Sequence, residues 1–113
     1  MTPKLRRMEL SQKSYFVTLL TTRLASLAEA QKQAPTALAD HITRTKRLHA
    51  EGKVLMAGAF VESADAPIST MAVLSSREAA EEFIAGDPFV QIGLVESSEI
   101  REWANMLRPS TAA

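Results

Sequence analysis

The chain contains no cysteine, which removes disulfides, thiolate metal sites and cysteine nucleophiles together. That composition fits a reducing compartment, and a cytoplasmic protein is the expectation. Net charge is also missing: 13 Lys and Arg balance 13 Asp and Glu, so no global field draws in nucleic acid or an anionic membrane. The basic groupings that remain are Lys4, Arg6, Arg7 and Lys13 near the start and Arg44, Lys46 and Arg47 farther on. They read as a tail and a solvated helix face. No apolar run approaches the ~20 residues of a membrane span, and the opening MTPKLRRMELSQKS lacks the apolar core of a secretory signal. Phosphate loops, dinucleotide fingerprints and Gly-x-Ser-x-Gly are absent as well. Neither a nucleic-acid nor a membrane partner is therefore expected.

What is present is pattern, easiest to follow outward from residues 40–60, DHITRTKRLHAEGKVLMAGAF. After Pro35 no Gly or Pro interrupts before Gly52, and Lys46, Arg47 and His49 crowd the last turns, which predicts a helix over 35–51. At about 100° per residue, Leu38, His41, Ile42, Thr45, Leu48 and His49 share an apolar, buried side, while Arg44, Lys46, Arg47 and Glu51 lie away from it. Ahead of this helix, SYFVTLLTT at 14–22 predicts a strand that is mostly apolar on both faces, Tyr15, Val17 and Leu19 opposite Phe16, Thr18 and Leu20. Residues 23–35 form either a short helix or an arm able to close over a pocket.

Behind the helix, 53–63 predicts a second strand, in which Gly58 marks a bulge or a ligand's close approach. The turn SADAP at 63–67 leads by a hairpin into a third strand at 68–75. A second helix opens with Ser75-Ser76-Arg77-Glu78 as a capping box, buries Ala79, Ala80, Phe83 and Ile84, and stops at Gly86 before Asp87-Pro88-Phe89. Residues 95–103 predict a last strand whose weaker alternation places it at an edge. A domain over 14–104 is thus flanked by a flexible lead-in at 1–13 and a tail at 105–113.

Strand, helix, strand, strand, helix, strand is the ferredoxin-like α+β order, βαββαβ, an antiparallel sheet with both helices on one face. Helices of this arrangement leave the other side of the first strand uncovered. The same face of a second copy, in a two-fold homodimer, is the simplest covering.

His41 and Asp87 are the residues expected to carry chemistry. Histidine moves protons in either direction near neutrality, and a carboxylate on its far nitrogen fixes the tautomer and stabilises the imidazolium. In this topology the middle of the first helix and the end of the second reach the same end of the sheet. Taken singly, a helix histidine is more often a packed residue, and Asp before Pro more often a turn starter. His49, about 12 Å from His41 along the axis, is too far to share a metal with it and suits a structural place near the helix terminus; no metal set is expected. Tyr15, Met56, Gly58 and Phe89 are the expected substrate pocket, apolar walls with room left by the glycine.

Together and in this order, YFVTLL, HITRTKRLHAEGKVLMAG, SSREAAEEFIAGDPFVQIGL and the closing IREW resemble the YCII-related family over residues 15–103. The resemblance implies a dimeric α+β barrel, with His41 and Asp87 as an active-site pair in a pocket between sheet and helices. It also implies proton chemistry without a cofactor on small cyclic, oxygen-rich substrates. Ala59 stands where the family often has proline, and SADAP lacks its usual glycine-rich turn, departures that bear on the pocket rim and hence on the substrate.

As an enzyme, the chain is expected to be a cofactor-independent lyase or isomerase in which His41 moves a proton and Asp87 orients it. The alternatives are a small-ligand binding or regulatory module, with the pair merely structural, and a haem protein using a helix histidine as axial ligand.

Overall fold

Aromatic, β-branched and long aliphatic side chains fill the first segment, and it forms the strand β1, Ser14–Thr22. After it come α1, Leu27–Gln33, α2, Pro35–Ala50, β2, Val54–Ala59, and β3, Ser69–Leu74. The chain ends in α3, Arg77–Ala85, α4, Pro88–Gln91, and β4, Val95–Ala104. The structure is a computed structural model that describes residues 14–61 and 66–107. The expected lead-in at 1–13, residues 63–65 of the hairpin turn and the tail beyond 107 lie outside the described residues.

The four strands form one antiparallel sheet in the order β2-β3-β1-β4, with β4 at an edge as its pattern suggested. The ferredoxin-like order is present, lengthened by the short helices α1 and α4. Residues 23–35, open between helix and arm, contain α1, capped by the Ser26 hydroxyl, which accepts from Glu29 N–H at 3.1 Å. Pro35 starts α2 at once, where its missing N–H costs nothing. Gly52, at φ 79°, supplies the left-handed turn that sends the chain from α2 into β2.

Register decides which residues meet. Phe16 pairs with Leu74, Thr18 with Ala72 and Ile100, and these share the helix-facing side with Leu20 and Val54. Helix α3 lies over β1 and β4 and presses Ala79, Ala80 and Phe83 into this cluster. Helix α2 lies over β2 and contributes Leu48. A second cluster, Leu24, Ala30, Ala34 and Phe89, joins α1 and α4 where β1 ends. Among the described residues no helix is long and apolar enough to cross a membrane.

Two local expectations are corrected. The cap of α3 is Ser76, whose hydroxyl accepts from Ala79 N–H at 3.0 Å. Ser75 still belongs to the sheet region, its N–H donating to Lys53 O at 3.0 Å. The helix therefore starts one residue late, and Glu78 misses the third position that a capping box requires. On α2, His49 is exposed and Ile42 is 45% exposed, so the expected buried stripe is only partly buried. The reason lies in β2: the residues it turns toward α2 beyond Val54 are Ala57 and Ala59, too small to reach the helix.

Candidate active site

Asp87 is held by the chain on either side of it. Gly86 ends α3 and Pro88 begins α4, so Asp87 is left extended between two helices, at φ −66° and ψ 129°, the region that a following proline favours. Its Oδ2 accepts from the backbone N–H groups of Phe89 and Val90 at 3.0 and 3.3 Å. Those bonds fix the carboxylate and leave Oδ1 directed at α2.

There His41 Nδ1 meets Oδ1 at 2.5 Å. A carboxylate only accepts, so Nδ1 carries the proton and the lone pair of the neutral imidazole is on Nε2. Asp87 is buried, whereas the His41 side chain keeps 23% of its surface exposed. The Phe89 ring, 5.4 Å from the imidazole between centroids, packs beside the pair. Nε2 takes no hydrogen-bond partner among the described residues.

His41 belongs to the wall of a groove of about 630 Å³ between α2 and the β2–β3 half of the sheet. Ile42, Thr45, Lys46 and His49 continue the helix wall; Ala57, Ala59, Thr70 and Ala72 form a low floor, and Phe83 contributes from α3. The groove exists because these floor side chains are short. A Leu or Ile at any of them would meet α2 and close it.

Of the expected pocket residues, Met56 and Gly58 border the groove, although pairing with Val73 and Met71 turns their side of the strand toward the opposite face. Phe89 backs the imidazole rather than lining the groove. Tyr15 does not belong with them: it packs against Trp103, centroids 6.4 Å apart, at the start of β1 and on the far face of the sheet. Because β1 is apolar on both sides, alternation alone could not tell which aromatic faced the pocket.

Two residues expected on the solvated side of α2 have a further place. Lys46 is exposed as expected and also borders the groove. Arg44 reaches across to α3, where Nη1 donates to Phe83 O at 3.0 Å and Nη2 to Glu82 O at 2.7 Å. These are carbonyls at the helix C-terminus, where a cation is favoured. Gly86 makes room: a Cβ there would lie 2.5 Å from Arg44 Nη2. Arg44 thus ties the helix bearing His41 to the turn bearing Asp87. The signal in the sequence was a glycine directly before the aspartate, which reads equally well as a plain helix stop. No group of three or more His, Asp or Glu residues suited to a metal ion occurs among the described residues.

With this geometry in view, comparison with known proteins gives the class. The YCII-related domain matches residues 14–104, and the chain belongs to the YCII-related family. A solved structure of similar fold is 5-chloro-2-hydroxyhydroquinone dehydrochlorinase (TftG) from Burkholderia phenoliruptrix AC1100, in complex with 2,5-dihydroxybenzoquinone. It is 16% identical, with a TM-score of 0.58, over 79% of this chain and 92% of that one. Another is Rv0793 from Mycobacterium tuberculosis, 14% identical with a TM-score of 0.50, over 86% of this chain and 98% of that one. At such identities the likeness is one of fold. No curated protein matches the chain.

Proposed function

We propose that the protein is a cofactor-independent lyase or isomerase that acts on a small cyclic, oxygen-bearing substrate, with His41 as proton carrier and Asp87 as its orienting partner. The observation that carries this is the 2.5 Å bond from His41 Nδ1 to the buried Asp87 carboxylate, with the imidazole on the groove wall. With Nδ1 committed, Nε2 removes a proton from a C–H or O–H of the substrate, and the electron pair left behind moves into the ring. In an isomerisation Nε2–H returns the proton to another carbon. In an elimination the pair expels the leaving group as an anion, and Nε2 later yields its proton to solvent. Asp87 stabilises the imidazolium throughout. Positioned acid–base catalysis supplies on the order of 10²- to 10⁴-fold, and alignment in the groove supplies the remainder.

Family membership and the fold shared with a dehydrochlorinase support the substrate class and choose the first probe. Turnover of 5-chloro-2-hydroxyhydroquinone and related quinols, followed by absorbance, tests it. His41→Ala is expected to lose about 10²- to 10⁴-fold in kcat/KM, and Asp87→Asn somewhat less, both with an unchanged circular dichroism spectrum. Undiminished turnover in His41→Ala would sink the proposal, and binding without turnover would point to the ligand-binding module instead.

The other face of the sheet supports a homodimer. Met56 and Trp103, 68% and 47% exposed, lie there with Leu19 and Met71, and no helix covers them among the described residues. A face-to-face copy would bury this apolar set; stable pairs bury ~1,200–2,000 Å². Sedimentation equilibrium is expected to give a dimer for the wild type and a monomer for Met71→Lys, and a monomeric wild type would refute the pairing.

A further inference from the structure

We infer that the groove is selective for an anion, with Lys46, assisted by His49, holding the acidic substituent of a ring whose proton chemistry takes place at His41. The inference rests on the function proposed above and adds the charge of the substrate and the residue that reads it.

The first observation is the sign of the lining. His41, Lys46 and His49 all border the groove, and no described Asp or Glu does. The second is where the other cations of this region are committed. Arg44 is bound to the Glu82 and Phe83 carbonyls, and Arg47 to Glu51 at 3.2 Å. Lys53 lies 3.6 Å from Glu51 and 3.2 Å from Glu82, and His41 is bonded to Asp87. Of the cations between residues 41 and 53, Lys46 and His49 are the two with neither an ion pair nor a side-chain hydrogen bond to another described residue, and both stand at the groove.

The third observation is spacing. Lys46 and His49 lie about 7.5 and 12 Å beyond His41 along the axis, at 1.5 Å per residue, and are three positions apart, so they flank one end of the groove while His41 occupies the other. That axial offset is of the order of the length of a single six-membered ring carrying a substituent at each end. The flat floor of Ala57, Ala59 and Ala72 suits the face of such a ring. Beside this low-dielectric floor a carboxylate or phenolate is attracted to the lysine more strongly than in bulk water.

The test uses two probes of the same shape, 4-hydroxybenzoate and the uncharged 4-hydroxybenzamide, with affinities measured by ligand-observed NMR on the full-length chain. The wild type is expected to bind the benzoate about tenfold more tightly, roughly a 1.4 kcal/mol difference. Lys46→Met should erase that preference and Lys46→Arg should keep most of it, while Ala57→Leu, which fills the groove, should abolish binding of both. Equal affinity for the two probes, no binding of either, or a preference that survives undiminished in Lys46→Met overturns the inference. The catalytic proposal fails separately. Selective anion binding without His41-dependent turnover leaves this site standing, whereas His41-dependent turnover of neutral substrates with no anion preference removes this inference alone.

Discussion

The helix-facing side of the sheet has two halves, each covered by a helix, and they are built differently. Under α3, the side chains of Phe16, Leu20 and Leu74 meet Ala79, Ala80 and Phe83, so large residues of the sheet fit the two alanines and the Phe83 ring fills the rest. Under α2 the sheet offers Ala57, Ala59, Thr70 and Ala72, and the helix presents His41, Ile42, Thr45, Lys46 and His49. Small side chains face a mostly polar wall there, and a groove remains. The closed half supplies apolar burial and the open half supplies room for chemistry. What separates them is side-chain volume at a few strand positions, since backbone order and helix placement are common to both.

Substitutions at matched positions sharpen or break this contrast. The largest effect is expected from Leu74→Ala, which leaves a cavity in the fully buried centre of the closed half and should cost about 2–5 kcal/mol in urea unfolding. Next comes a paired comparison. Ala80→Leu forces extra volume into a closed site, at a cost of about 1–3 kcal/mol, whereas Ala57→Leu should change stability by no more than about 0.5 kcal/mol. Equal costs for the pair would mean that the α2 half is as tightly packed as the other. The smallest effect has the opposite sign. Thr18 is fully buried in the closed half, and its hydroxyl finds no hydrogen-bond partner among the described residues. Thr18→Val keeps the branched shape and is expected to raise stability by about 1 kcal/mol, read as a higher Tm.

Much of this architecture was legible because strands and helices advertise themselves by period. The turn at Gly52, the apolar first strand and the stop at Gly86 all fell where pattern placed them. Topology brings His41 and Asp87 to the same end of the sheet and the family resemblance implies their pairing, and the structure sets them 2.5 Å apart. Less legible was anything that depends on what stands opposite. A helical wheel gives the angle of Arg44 or Lys46 but not the neighbour at that angle, so a clamp on α3 and a groove-lining cation both looked like solvated charges. His49 looked buried for the converse reason, since nothing in α2 itself reveals that β2 opposes it with alanines. Tyr15 was misplaced because a strand apolar on both faces gives no sign of which face holds the pocket. At Ser75-Ser76 two equivalent caps stood side by side, and the bond from Ser75 N–H to Lys53 O, distant in sequence, decided between them.

The contact between Arg44 and Gly86 also constrains how this protein can change over generations. An alanine at 86 occupies the place of the guanidinium, so it costs the clamp as long as position 44 is arginine. Once position 44 has become a shorter, uncharged residue, the three nearest atoms to that Cβ are gone, and the alanine lowers the entropy of the unfolded chain. One substitution is therefore harmful or harmless according to whether the other came first. With Arg44 in place, a larger residue at 86 displaces the end of its side chain from the α3 carbonyls, so substitutions at 44 and 86 should be non-additive.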